Sequence, residues 1–169
     1  MLLRPATVDD AAAIAEIYNH EVEHTTATFD LVPRTLDDQR AWIEARSGAF
    51  AAVIADIEGE VLGFAALSPY KERAAYRTSV ESSVYVRRDR HGAGIGRALM
   101  EHLLDVATAS GFHTVLARIE ASGATSRRLH ETCGFHLVGI EREIGRKFGR
   151  WLDVALMQCV LHERSGPRS

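Results

Sequence analysis

Apolar residues at Ala13, Ile14, Ile17, Tyr18 and Val22 recur at the spacing of one helix face, with Asp9 or Asp10 ahead of them as a cap. This predicts a first helix after a short apolar strand at residues 1–4. The stretch 23–34 is rich in Thr and ends on Pro33-Arg34, so it reads as a long loop, a kind of segment that commonly carries a task. A second helix is expected over 36–46. The β-rich runs 50–57 and 61–67, separated by Glu58-Gly59-Glu60, predict a hairpin. Residues 69–77 are irregular, basic and aromatic. A strand is expected at 80–86, then glycines, then an amphipathic helix over 96–109 with Leu99, Leu103, Val106 and Ala107 on one face and Gly111 closing it. The remainder reads as a strand at 113–119, a short helix at 125–132 and an antiparallel pair at 135–141 and 151–161. Together these give an α/β (α+β) domain over residues 1–163, a mixed sheet flanked by about four helices, with a disordered tail at 164–169.

A length of 169 residues suits one core of normal size. The formal charge of −3 offers no general attraction for nucleic acid or an anionic membrane, so any anion must be held locally. No apolar run approaches the roughly 20 residues of a membrane span, and the first residues lack a signal-peptide pattern, so a cytoplasmic protein is expected. Cys133 and Cys159 are too few for a disulfide framework or a structural zinc site and read as reduced core residues. His20 and His24 stand four apart, but no acid or thiol accompanies them at ligand spacing, so no metal is expected.

The informative run is His91-Gly92-Ala93-Gly94-Ile95-Gly96-Arg97, three alternating glycines between a strand and a long helix. Small residues there let backbone N–H groups converge on an anion, and the helix N-terminus adds favourable partial charge, so a pyrophosphate fits. A plain glycine-rich turn is the bland alternative. A P-loop fails because Gly96 is followed by Arg97-Ala98 where Lys and then Ser or Thr are required. A dinucleotide fold could use Glu120 as its distal acid, but the glycine spacing is wrong and too few strand–helix units come after it.

The glycine run after Val84-Tyr85-Val86 resembles the coenzyme A signature of the GNAT acetyltransferases. The segments TTATF at 25–29, VESSVYV at 80–86, LHETCGF at 129–135 and GRKFGRWLD at 145–153 are similar to the phosphinothricin and methionine-sulfoximine N-acetyltransferase branch, and the likeness covers 3–158. It implies a mostly antiparallel sheet of about seven strands. It also implies that acetyl-CoA is the cosubstrate, with its pantetheine arm beside Val84, Tyr85 and Val86 and its pyrophosphate on the amides of His91, Gly92, Ala93, Gly94, Ile95, Gly96 and Arg97. Ser126 keeps the family's hydroxyl. His91 and Gly123 depart from the usual Gln or Arg and Asn, which alters cofactor contacts without removing backbone donors. A homodimer is common in this branch.

Acetyl transfer to an amine needs a base, a donor for the oxyanion and a proton for the leaving thiolate. A carboxylate near the acceptor is the economical base, and the resemblance places Glu81 there; otherwise Glu81 is a solvated strand-end acid. A main-chain N–H near Val84 would meet the oxyanion. His130 stands where many relatives carry Tyr and is the candidate proton donor or relay, or else a histidine satisfied at a helix end. Lys71, Arg73, Tyr76 and Lys147, the last read as lying in a loop before Trp151, would recognise an anionic amino-acid-sized acceptor, and Phe29 would close over its side chain. Each could equally belong to a solvated surface. A cysteine nucleophile is disfavoured because Cys133 lacks a cationic setting. The expected activity is therefore N-acetylation of a small amino acid. A non-catalytic coenzyme-A-binding module and a protein N-terminal or lysine acetyltransferase are the alternatives.

Overall fold

The computed structural model describes residues 1–164; positions 165–169 of the expected tail lie outside the described residues. Strands β1 (Leu2–Pro5), β2 (Val53–Ile57), β3 (Glu60–Pro69), β4 (Ser79–Val86), β5 (Thr114–Glu120), β6 (His136–Lys147) and β7 (Arg150–Val160) form one sheet in the order β1-β2-β3-β4-β5-β7-β6. Every neighbouring pair is antiparallel except β4 with β5. The helices are α1 (Ala11–His24), α2 (Leu36–Glu44), α3 (Ile95–Ala109) and α4 (Ala124–Thr132). The predicted elements are all present, shifted at their ends by a few residues.

The sheet separates two cores. Leu99, Met100, Leu103 and Leu104 of α3 pack on one face with Val80, Val115, Ala117 and Met157. On the other, Ile14, Ile17, Tyr18 and Val22 of α1 meet Ile43, Ile54 and Phe64. Side chains alternate along a strand, so Val80, Val84 and Val86 of β4 belong to the α3 face while Glu81, Ser83 and Tyr85 face the α1 side. Asp10 caps one turn earlier than its position before α1 suggests: its carboxylate accepts from Thr7 N (2.8 Å) and from both terminal nitrogens of Arg4 (2.9 Å each).

The last hairpin is longer than the patterning of 135–161 predicts. Residues 141–150 show no clean alternation, yet β6 continues to Lys147 because a register shift between Glu141 and Gly145, with Glu143 at φ 50°, absorbs the irregular stretch. Phe148 and Gly149, at φ 53° and 71°, then make the two-residue turn. Lys147 therefore ends a strand and does not lie in a loop. Both cysteines are free and buried. Among the described residues no helix is long and apolar enough to cross a membrane.

Candidate active site

β4 and β5 are in register only at Ser79–Thr114, Val80–Val115 and Glu81–Leu116. Beyond that point β4 stays on β3 as far as Val86, and β5 stays on β7 as far as Glu120. The two strands thus open as a fork, closed at Glu81 and widest toward the glycine segment and the start of α4. Arg87 N–H donates to Leu62 O (2.9 Å). Alternation from that bond turns the N–H and C=O groups of Val84 and Val86 away from β3 and into the fork. An extended ligand carrying amides can therefore be added there as a strand. His91 already uses one of these groups, its Nε2 donating to Val86 O at 3.0 Å.

After β4 the chain makes a single turn at Arg88–Arg90 and enters the glycines. Gly92 and Gly94 take φ of +82° and +80°, a region that side chains disfavour, and this lets successive N–H groups point the same way. His91 and Ala93 N–H close the turn on Arg88 O and Arg90 O (3.3 and 3.4 Å). Gly92, Gly94, Ile95, Gly96 and Arg97 have no backbone acceptor for their N–H groups among the described residues, and Gly94 caps α3 without a side-chain bond. Free amides at an uncapped helix start fit a pyrophosphate. The Arg97 guanidinium is turned aside to Glu101 (2.7 Å). α4 lies beside this turn: a Cβ on Gly96 would stand 3.1 Å from Leu129 Cδ1. Gly123 is the N-cap of α4, and Ser126, in its first turn, is half-buried.

Glu81 is half-buried and its carboxylate makes no protein hydrogen bond among the described residues. Burial pushes its carboxyl above the usual carboxylate value, with the positive charge of Arg118 partly opposing. Arg118 shares that face of the sheet two residues beyond Leu116, and pairs with Glu141 at 3.0 Å. His130 is 3% exposed and packs edge-on against Phe135 in the α3 core, so it approaches from the opposite side of the sheet. Its Nδ1 bonds Ser126 O at 2.7 Å. A carbonyl can only accept, so Nδ1 carries the proton and Nε2 is left as an acceptor. Burial lowers its pKa, with the Ser126 bond opposing, so the ring is neutral near pH 7. Cys133 has its thiol pushed up by burial to about 11, far from thiolate character.

The Thr-rich loop after α1 is fastened at several points. Lys147, 3% exposed, donates to Thr28 O (2.8 Å) and Glu21 O (3.3 Å), and burial lowers its pKa. Its ammonium is thus committed to the loop backbone. The Phe29 ring lies over Gly145, where an added Cβ would come within 2.6 Å of Phe29 Cδ2. Thr26 Oγ1 donates to Glu120 at 3.2 Å, and Tyr18 bonds both Thr28 and Asp30. Lys71, Arg73 and Tyr76 occupy the exposed connection from β3 to β4, with the Lys71 ammonium 4.9 Å from the Tyr70 ring and 5.3 Å from that of Tyr76. Glu21, Arg88 and Arg118 carry no motif that marks them in the sequence. An acid in the last turns of a helix, where the macrodipole disfavours it, is the one signal a linear reading contains for them.

Residues 3–156 match the family model described as an acetyltransferase (GNAT) domain. The chain is 41% identical over 168 residues to the L-methionine sulfoximine/L-methionine sulfone acetyltransferase of Pseudomonas paraeruginosa, covering 98% of each. To the phosphinothricin N-acetyltransferase of Streptomyces coelicolor it is 41% identical over 157 residues, 90% of this chain and 92% of the relative. Among solved structures, yncA of Salmonella typhimurium, determined with its cofactor acetyl-CoA, superimposes with a TM-score of 0.92 at 39% identity, covering 100% of this chain and 98% of that one. The open fork, the glycine turn before α3 and these likenesses over nearly the whole length lead to one assignment: the chain belongs to the GNAT acetyltransferase family.

Proposed function

We propose that this protein transfers the acetyl group of acetyl-CoA to the primary amine of a small L-amino acid of the methionine sulfoximine or phosphinothricin kind. The observation that carries the reading is the fork itself: gap-facing main-chain groups at Val84 and Val86 on one arm, the free amides of Gly92 and of Gly94 to Arg97 at its mouth, and the Glu81 carboxylate at its closed end. Acetyl-CoA supplies an activated thioester. The protein holds the pantetheine arm on β4 and the pyrophosphate on the glycine turn.

Glu81 takes the proton from the acceptor ammonium, a role suited to a carboxylate whose pKa is raised by burial, with Arg118 only partly opposing, and whose oxygens no described side chain occupies. The Val84 N–H stabilises the oxyanion. His130, neutral and with Nε2 as acceptor, takes at Nε2 the second proton that the attacking nitrogen loses and returns it to the thiolate as the C–S bond breaks. Attack is direct, since neither thiol has nucleophilic character. Lys71, Arg73 and Tyr76 receive the anionic groups of the acceptor, and Phe29 packs on its side chain. Lys147 contributes by holding the loop that carries Phe29.

A second copy of the chain is the expected partner. Leu137, Ile140, Ile144, Phe148 and Trp151 form an exposed apolar surface on the β6–β7 hairpin, at the edge of the sheet. The free, buried cysteines suit the reducing cytoplasm.

The test is calorimetry with acetyl-CoA, then thiol release with a panel of amino acids including L-methionine sulfoximine and phosphinothricin. Binding with turnover on one of these is expected. Binding without turnover on any amine would leave a non-catalytic coenzyme-A module, and turnover confined to peptide substrates would make it a protein acetyltransferase.

A further inference from the structure

Glu21 is an acid in an unfavourable place. It lies in the last turns of α1, where carbonyl dipoles repel a negative charge, and it is 3% exposed. It is held there by Arg88, whose Nε and Nη2 donate to the two carboxylate oxygens at 2.8 and 2.5 Å, and by Thr25 Oγ1 at 2.6 Å. Burial alone would raise the carboxyl's pKa, but the bonds from Arg88 and Thr25 win and keep it below the usual value. An exposed ion pair contributes little. This one differs because the carboxylate is buried and the contact is a two-point fork.

The partners of Glu21 lie on both halves of the site. Arg88 opens the turn that leads into Gly92 and Gly94, so its side chain anchors the segment carrying the free amides. Thr25 begins the Thr-rich loop, and the Glu21 carbonyl takes a bond from Lys147, which also holds Thr28. Glu21 thus touches both the loop over the acceptor and the turn under the pyrophosphate.

We infer that Glu21 and Arg88 are positioning residues that join the glycine turn to the loop 25–30, so that coenzyme A bound at the turn also orders the loop over the acceptor. This rests on the function proposed above. The pair takes no part in proton transfer; it sets how binding at one half is felt at the other.

Hydrogen exchange with and without saturating coenzyme A tests this, on the wild type, Arg88→Ala, Arg88→Lys and Glu21→Gln. Arg88 is half exposed, so its variants should fold, and Glu21→Gln keeps the side-chain shape. In the wild type, coenzyme A should slow exchange at 92–97 and also at 25–30. In Arg88→Ala and Glu21→Gln the protection should remain at 92–97 but fall several-fold at 25–30, with Arg88→Lys between. The KM for acetyl-CoA and that for L-methionine sulfoximine should then both rise about tenfold in Arg88→Ala, with a smaller change in kcat, the size expected for losing a charge-assisted contact. Loop protection that persists undiminished in both disrupting variants, or is missing from the wild type, overturns the inference alone. Absence of any coenzyme A effect at 92–97 in the wild type would overturn the proposed function and this role with it.

Discussion

Glu81 and Leu116 are the last residues at which β4 and β5 stand in register. Everything the site does depends on the divergence of the strands beyond that pair. The main-chain groups of Val84 and Val86 lose the partners a continuous sheet would give them, and the carboxylate of Glu81 is left at the bottom of the opening. A sheet that stayed paired to its end would bury the same side chains and offer nothing to bind.

Glu81 carries the first prediction. Glu81→Gln should lower kcat by about a hundredfold or more, the usual size of a lost general base, with acetyl-CoA affinity unchanged by calorimetry. The same variant should be more stable at neutral pH. The folded pKa is raised, so the folded state keeps this proton to a higher pH than the unfolded chain, and stability falls as pH rises through that window. Removing the charge removes that penalty, so thermal unfolding at neutral pH should show a higher Tm for the variant than for the wild type. In the wild type, kcat/KM should fall with decreasing pH at a value above the usual carboxylate range. Arg118→Ala should move this limb higher still, because Arg118 opposes the shift. A limb that stays in place, or full turnover in Glu81→Gln, removes Glu81 as the base.

His130 gives a second test, with the opposite sign. Its folded pKa is lowered, so the unfolded chain takes the proton first and stability is lost as pH falls below the ordinary imidazole value of about 6.5. His130→Phe cannot lose stability this way, so the difference in Tm between wild type and variant should shrink or reverse between neutral and mildly acid pH. If His130 relays a proton, the variant should also be slower, with a changed pH–rate profile. Slower turnover with an unaltered profile would assign it a packing role against Phe135.

Gly145 makes the third prediction, on the acceptor loop. Its backbone φ is not positive, so a side chain there is not strained in itself, but a Cβ would strike the Phe29 ring. Gly145→Ala should displace Phe29 and raise the KM for the amino-acid acceptor about tenfold, the effect of one lost apolar anchor, while the KM for acetyl-CoA stays within twofold. Equal changes in both constants would mean that Phe29 does not sit over the acceptor.

The elements of the fold are legible in the chain because the apolar spacing of α1 and α3 and the short β-rich runs each satisfy one geometry only. The glycine segment is legible for a related reason: Gly92 and Gly94 hold backbone that other residues resist, and such backbone leaves a mark in composition. Patterning makes β6 too short because its irregular stretch, with Glu143 in a left-handed conformation and a slipped register, has no period. Lys147 looks like a surface cation for the same reason, since nothing near it in sequence announces the carbonyls of Glu21 and Thr28.

The sequence by itself determined the order of strands and helices, the glycine turn and the family, because these depend on local periodicity, backbone conformation and motifs that a linear reading contains. Only the tertiary structure decided which groups face the fork, which nitrogen of His130 carries its proton, and that Glu21 and Arg88, 67 positions apart, share one two-point ion pair on a buried carboxylate. Those facts depend on burial and on bonds between distant segments, and neither exists until the chain has closed on itself.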